Sequence, residues 1–257
     1  KSIISSVVLI FILSIVGCKS DPNENEPNVS IEDEFMILLW ENLSPSGTSF
    51  NLNIKTIESQ SCENTLIDVV PSVFANNIAV TIHDIPTPDC SDAVFPATAE
   101  IILGNIAEEN YNVQVSLKNV VNNEGIMIVT PDYYEIEMGQ LNGIVMPEQR
   151  LYKIPNNTIW GYIAYSEDSL NVVTDAFVAG LADVADPRTY TDGYYGYFSV
   201  DNNELTILNN SSTLAVAKTF GFDYSGDTTH LMSMLFDYRS QYPEMEFKIF
   251  TSAGEEL

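Results

Sequence analysis

The chain has 257 residues, with 10 Lys+Arg against 36 Asp+Glu, a formal net charge of −26 at pH 7, and a composition that is 45% hydrophobic and 11% aromatic. Such a charge repels phosphodiester backbones and anionic headgroups, which excludes nucleic acid as a partner. The apolar content is enough to fill a core, so the acidity is not a mark of disorder, and the length suits one large or two ordinary domains.

Lys1 precedes a largely apolar run from Ile3 to Val16, closed by Gly17-Cys18. A basic start, an apolar run of roughly 14 residues and a small residue before the cut have the pattern of a secretory signal, too short for a stable membrane span. With Cys18 next, Ile15-Val16-Gly17-Cys18 resembles the lipobox of bacterial lipoproteins. The resemblance implies that residues 1–17 are a signal peptide, that Cys18 is acylated (palmitate among its acyl groups), and that the mature protein is lipid-anchored at the outer membrane. Residues 18–34 hold Pro22 and Pro27, many polar side chains and no aromatic, and read as a flexible tether. Their acidic start behind Cys18 also resembles the export signal of surface lipoproteins in Bacteroidota. Surface and periplasmic orientations both stay open.

Cys62 and Cys90 form an even pair in an oxidising compartment, so a disulfide is expected, closing a loop of roughly 28 residues and contributing about 3 kcal/mol. A metal pair with nearby His83 is the alternative.

Over residues 35–141 the hydropathy alternates. Phe50, Leu52 and Ile54 alternate with Asn51, Asn53 and Lys55; Ile78, Val80 and Ile82 repeat the pattern, as do Ala99, Ile101 and Leu103, then Tyr111 to Leu117, then Tyr134, Ile136 and Met138. Period two buries one face of each strand. Breakers fall at Pro45-Ser46-Gly47, Asn76-Asn77, Pro86-Thr87-Pro88 and Asn122-Asn123-Glu124-Gly125. About seven or eight short strands with such turns predict a β-sandwich. Leu103-Gly104-Asn105-Ile106, followed by Tyr111-Asn112-Val113, resembles the tyrosine corner of immunoglobulin-like and fibronectin type III domains, with Glu108-Glu109-Asn110 in place of the usual Pro-Gly turn. The resemblance implies an Ig-like sandwich in which the Tyr111 hydroxyl bonds back to the chain; an ordinary hairpin is the alternative.

Residues 142–257 change period. Ser166-Glu167-Asp168 offers a cap, and Leu170, Val173, Phe177, Leu181 and Val184 follow at helical spacing until Pro187. A second helix starts near Asp227-Thr228-Thr229, carries Leu231, Met234, Leu235, Tyr238 and Tyr242, and stops at Pro243. Strand-like runs flank both, and Asp201-Asn202-Asn203 reads as a tight turn. The order predicts an α+β domain, a sheet covered on one face by two helices as in ferredoxin-like folds. Asp168-Ser169-Leu170 and Asp227-Thr228-Thr229 also resemble the D-S/T-x acceptor of O-glycosylation in Bacteroidota, though helix capping is preferred.

Catalytic signatures are missing: the two histidines, His83 and His230, exclude a His-rich zinc site, and no GxSxG, HExxH, GxGxxG or Walker loop occurs. No cofactor is expected. Calcium is the one metal candidate, with Asp201 to Glu204, Asp183 with Asp186, and Asp223 with Asp227 as possible ligand loops. The strongest candidate contacts are aromatic. Trp160, Tyr162, Tyr195 and Tyr197 would stack on sugar rings if exposed; the alternative is that the stripe packs against the sandwich. On a strand, Tyr195 and Tyr197 would share one face and Tyr194 and Phe198 the other.

Three functions follow. The first is a lipid-anchored envelope protein with a non-enzymatic binding or assembly role toward a protein or glycan partner. The second is a surface glycan-binding lipoprotein of a polysaccharide-uptake system, which needs the aromatic stripe exposed. The third is a hydrolase, which needs two carboxyls about 5–10 Å apart in a cleft, one with a raised pKa.

Overall fold

Alternating apolar residues become strands because a pleated strand sends them all to one face, where a second sheet can cover them. The computed structural model describes residues 32–59, 61–85, 90, 94–118, 120–208 and 212–257. Cys18, the signal segment and the tether up to residue 31 lie outside these, as does the Pro86-Thr87-Pro88 breaker. The fold is β-rich, with four sheets and two α-helices among the described residues.

The first half holds β1 (Phe35–Ser44), β2 (Gly47–Thr56), β3 (Asp68–Phe74), β4 (Asn77–Asp84), β5 (Thr98–Gly104), β6 (Asn110–Leu117), β7 (Val121–Val129), β8 (Tyr133–Met138), β9 (Ile144–Val145) and β10 (Arg150–Tyr152). One sheet has the order β5-β2-β1-β9 and the other β10-β8-β7-β6-β4-β3. Most pairs are antiparallel, but β1–β9 and β4–β6 are parallel. The sheets share one core: Phe35, Ile37, Leu39, Phe50, Leu52 and Ile54 meet Ile78, Val80, Ile82, Val113, Val115 and Ile136. Each such side chain contributes about 1.5–3 kcal/mol on burial, enough to override weak strand formers between them. The disulfide is formed, joining Cys62 and Cys90 with Cα atoms 5.9 Å apart, inside the usual range for a bridge.

One expected breaker is not a turn. Asn122-Asn123-Glu124-Gly125 lies inside β7, and the chain reverses earlier, where Lys118 adopts a φ of 48°. Two contacts explain the shift. Asn123 is fully buried and its amide holds the 142 loop, donating to the Asn142 carbonyl at 3.1 Å and accepting from the Asn142 N–H at 2.7 Å. Gly125 lets β8 come close, since a Cβ there would stand 2.4 Å from the Glu137 carbonyl oxygen. Tertiary demand outweighs local turn propensity here.

The second half holds β11 (Thr158–Ala164), a 3-10 turn (Asp168–Leu170), α1 (Asn171–Ala182), β12 (Asp186–Pro187), β13 (Gly193–Tyr194), β14 (Phe198–Asp201), β15 (Glu204–Ile207), β16 (Val216–Asp223), α2 (Thr228–Gln241) and β17 (Glu246–Thr251). Its main sheet runs β12-β16-β11-β17, every pair antiparallel, and β13-β14-β15 form a separate meander. Helical spacing places Val173, Phe177 and Leu181 of α1, with Leu231 and Leu235 of α2, under the sheet face carrying Ile159 and Ile163. Val184 falls beyond α1 and is exposed. α2 starts as expected, the Asp227 carboxylate accepting from the Thr229 N–H at 2.8 Å, which holds that carboxyl below its ordinary pKa. α1 does not: Leu170 stands at its N-cap position in helical geometry, with no side-chain cap, because the 3-10 turn extends the first winding.

The first half's sheets run past residue 141, because β9 and β10 pair with β1 and β8. Residues 31–257 form one compact unit.

Candidate functional site

The aromatic stripe is where the two halves meet. All seven residues of β11 are buried, since helices cover one face and the meander, with part of the first half, covers the other. Trp160 and Tyr162 are each 1% exposed and Tyr195 is 4% exposed, while Tyr197 is partly buried. An exposed row of Trp160, Tyr162, Tyr195 and Tyr197 is therefore corrected: these rings pack a joint. Tyr195 and Tyr197 are not on a strand either. Gly196, at φ +81°, makes a tight turn between β13 and β14 in which the Tyr195 N–H donates to the Phe198 carbonyl. Freed from strand alternation, Tyr197 reaches across: its hydroxyl accepts from the Leu43 N–H at 3.2 Å and its ring lies 4.4 Å from Trp40 and 5.6 Å from Trp160. The Tyr194 hydroxyl donates to the Leu39 carbonyl at 3.1 Å, and burial pushes it up to about 12. Tyr195 stacks on Tyr152 and Phe198, at 5.3 and 4.9 Å. Tyr162 lies at the far end beside Phe250 and donates to Glu246.

A different surface is open. The register of the first sheet aligns Met36 with Lys55 and Thr98, Leu38 with Asn53 and Glu100, and Trp40 with Asn51 and Ile102. These rows face away from the core, because their neighbours Ile37, Leu39, Leu52, Ile54 and Ile101 face into it. They floor a cleft of about 530 Å3 lined by Leu38, Trp40, Asn53, Lys55, Leu66 and Glu100 among others. Its walls are fixed. Tyr197 backs the Trp40 indole, and the buried Asn51 amide donates to the Glu100 carboxylate at 2.7 Å while Ser49 donates to the Asn51 oxygen. Leu66, in the cleft lining, is 68% exposed, and Ile102, beside Asn51 in the same sheet, is 66% exposed. The signal for this face was present in the sequence: Phe35-Met36-Ile37-Leu38-Leu39-Trp40 is apolar at every position, as in a strand covered on both faces.

Of the acids, Glu41 is the one that is buried among the described residues. It accepts from the Tyr134 hydroxyl at 3.0 Å, and the Ile154 N–H and Thr48 hydroxyl also bond to it. Burial outweighs these contacts and the attraction of Lys153, so the carboxyl is pushed above its ordinary value. Glu41 has no second buried acid beside it among the described residues. It does set a pH dependence. An acid with its folded pKa raised binds more protons folded than unfolded, so its destabilising effect is absent below about pH 4.5 and grows as pH rises toward the folded value. Wild type should therefore lose stability relative to Glu41→Gln as pH increases from there; parallel urea unfolding of both proteins checks this, and a constant difference across pH would contradict it.

The calcium loops do not converge. Asp183, Asp186 and Asp223 line one shallow cleft, but Arg188 engages Asp223 at 3.1 Å. Asp201 to Glu204 form the β14–β15 turn with Asn202 and Asn203 at positive φ. Among the described residues no group of three or more His, Cys, Asp or Glu side chains has the geometry to hold a metal ion. His230 is exposed on the first turn of α2. Neither a protein-family model, a curated protein nor a solved structure matches the chain.

Proposed function

We propose that this chain is a lipid-anchored cell-envelope protein with a non-enzymatic role, attached to the membrane through Cys18, that binds its partner on the outer face of the β5-β2-β1 sheet. The observation that carries the reading is the cleft built around Trp40: an indole held in place from behind, with apolar and polar side chains converging on one floor. Ligand sites have this composition, mostly apolar with a few positioned polar groups. The aromatic stripe has another use, as the joint that holds the second half against the first.

An Ig-like origin for the first half is supported by the Tyr111 hydroxyl, which donates to the Ala107 carbonyl at 3.3 Å as a tyrosine corner does. The parallel β4–β6 pair departs from that pattern. In the second half, β11-α1-β12 and β16-α2-β17 with the sheet order β12-β16-β11-β17 support a split βαβ, ferredoxin-like core into which the meander is inserted.

Anchoring is tested by fractionating cells that express the full chain or its Cys18→Ala variant and are fed labelled palmitate. The full chain is expected in the outer-membrane fraction and labelled, the variant unlabelled. Equal labelling of both would overturn the anchor at Cys18.

A further inference from the structure

We propose that the Trp40 cleft takes a glycan chain bearing carboxylate groups, an inference that rests on the binding role proposed above. Three observations select this ligand class. The first is shape and apolar surface. Trp40, Leu38 and Leu66 line the cleft, and an immobilised indole flanked by aliphatic side chains suits the CH faces of sugar rings. The second is polar display. Asn53 lies between Leu38 and Glu100 in the register, offering amide donors and an acceptor, and Glu100 is anchored by Asn51 with acceptor capacity left for hydroxyl groups.

The third is charge. Five of the cations in the described residues (Lys118, Arg150, Arg188, Lys218 and Lys248) are paired with acids. Lys153 donates to the Thr130 carbonyl and Arg239 to the Phe247 and Leu257 carbonyls. Among the described residues Lys55 is the one Lys or Arg with neither an ion pair nor a hydrogen bond, and it lines this cleft. In a chain of net charge −26, an unpaired ammonium is a local site for one carboxylate. Acids farther away than the Debye length of about 8–10 Å are largely screened, so this ammonium sets the local preference. An extended peptide fits less well, because peptides added to sheets are recognised through free main-chain groups at an edge. The cleft floor crosses β1 and β2, whose main chains are bonded to each other and to β5 and β9.

The test is calorimetric titration of the full chain in detergent with polygalacturonate and with neutral galactan of matched length. Polygalacturonate is expected to bind saturably and at least about tenfold more tightly than galactan, the margin of one charge-assisted contact. Lys55→Gln should remove that margin and the salt dependence, leaving the melting temperature unchanged. Trp40→Ala should weaken both ligands about tenfold or more. Equal affinity of the wild type for the two polymers would overturn the carboxylate assignment while leaving a glycan-binding role at the cleft. Polymer binding that both variants leave intact would overturn the cleft itself. Failure of both polymers, with cross-linking from position 40 still capturing a defined envelope component, would overturn the glycan class but not the binding role.

Discussion

Trp160→Ala is expected to lower the unfolding free energy by about 3–5 kcal/mol, the range for deleting a buried indole, and to loosen both halves at once. Trp160 is 1% exposed and belongs to a buried cluster that also holds Leu43 of the first half. Its ring lies 5.6 Å from Tyr197, 5.5 Å from Phe198 and 6.0 Å from Phe250. Tyr197 in turn holds Leu43 and Trp40 in the first half. The cavity left by the substitution is ringed by other aromatics that cannot all move inward, so little of the loss is recovered. Urea unfolding followed by far-UV dichroism and by a near-UV aromatic signal checks this. The wild type should give one transition by both probes; the variant should give a lower midpoint, with the near-UV signal lost first. An unchanged midpoint would mean that the stripe does not carry the joint.

Gly161→Ala is expected to be worse for its size than any other Gly→Ala change in the described strands. A Cβ at Gly161 would stand 1.9 Å from the Lys248 carbonyl oxygen, 2.7 Å from Phe220 Cζ and 3.0 Å from the Lys248 carbonyl carbon. Two of these are main chain of the neighbouring strand, so relief means moving β17 away from β11 and losing ladder bonds. Overpacking typically costs 1–3 kcal/mol, and the larger losses arise where backbone must move; here about 3 kcal/mol or more is expected, read as a fall in folded yield and in the urea midpoint. Gly180→Ala is the control. It sits in α1, its Cβ would meet only Met234 Sδ at 3.6 Å, and it should gain up to about 1 kcal/mol from helix propensity. Similar effects from both changes would contradict the tight β11–β17 contact.

Most strands were legible because their signal is local: Phe50-Leu52-Ile54 and Ile78-Val80-Ile82 alternate, and alternation alone assigns a face. The helices were legible for the same reason, through Val173, Phe177 and Leu181 and through Leu231 and Leu235. The disulfide followed from a count of cysteines and their compartment. What stayed hidden depends on partners distant in sequence. Asn122 to Gly125 carries turn residues, yet Asn123 serves the 142 loop and Gly125 makes room for β8, and neither need is visible locally. The Tyr195-Gly196-Tyr197 turn reverses the expected facing because one glycine at positive φ breaks alternation. The parallel β4–β6 pair is a choice of neighbour that no spacing encodes. The site moved for a related reason. Aromatic density marked the stripe, and density is what a joint between two sheets also requires. The apolar run Phe35 to Trp40 carried the better signal, since its outward-facing members need a cover that the core does not supply.

The most direct measurement uses the two tryptophans as separate reporters. Trp160→Phe leaves Trp40 as the sole indole of the chain, and Trp40→Phe leaves Trp160. Titrating both proteins with polygalacturonate while following indole emission should give a saturable change in the Trp40-only protein, with the affinity found by calorimetry, and none in the Trp160-only protein. Binding detected by calorimetry with Trp40 emission unmoved, or a response confined to Trp160, would place the ligand elsewhere and contradict a binding site on the outer face of the first sheet.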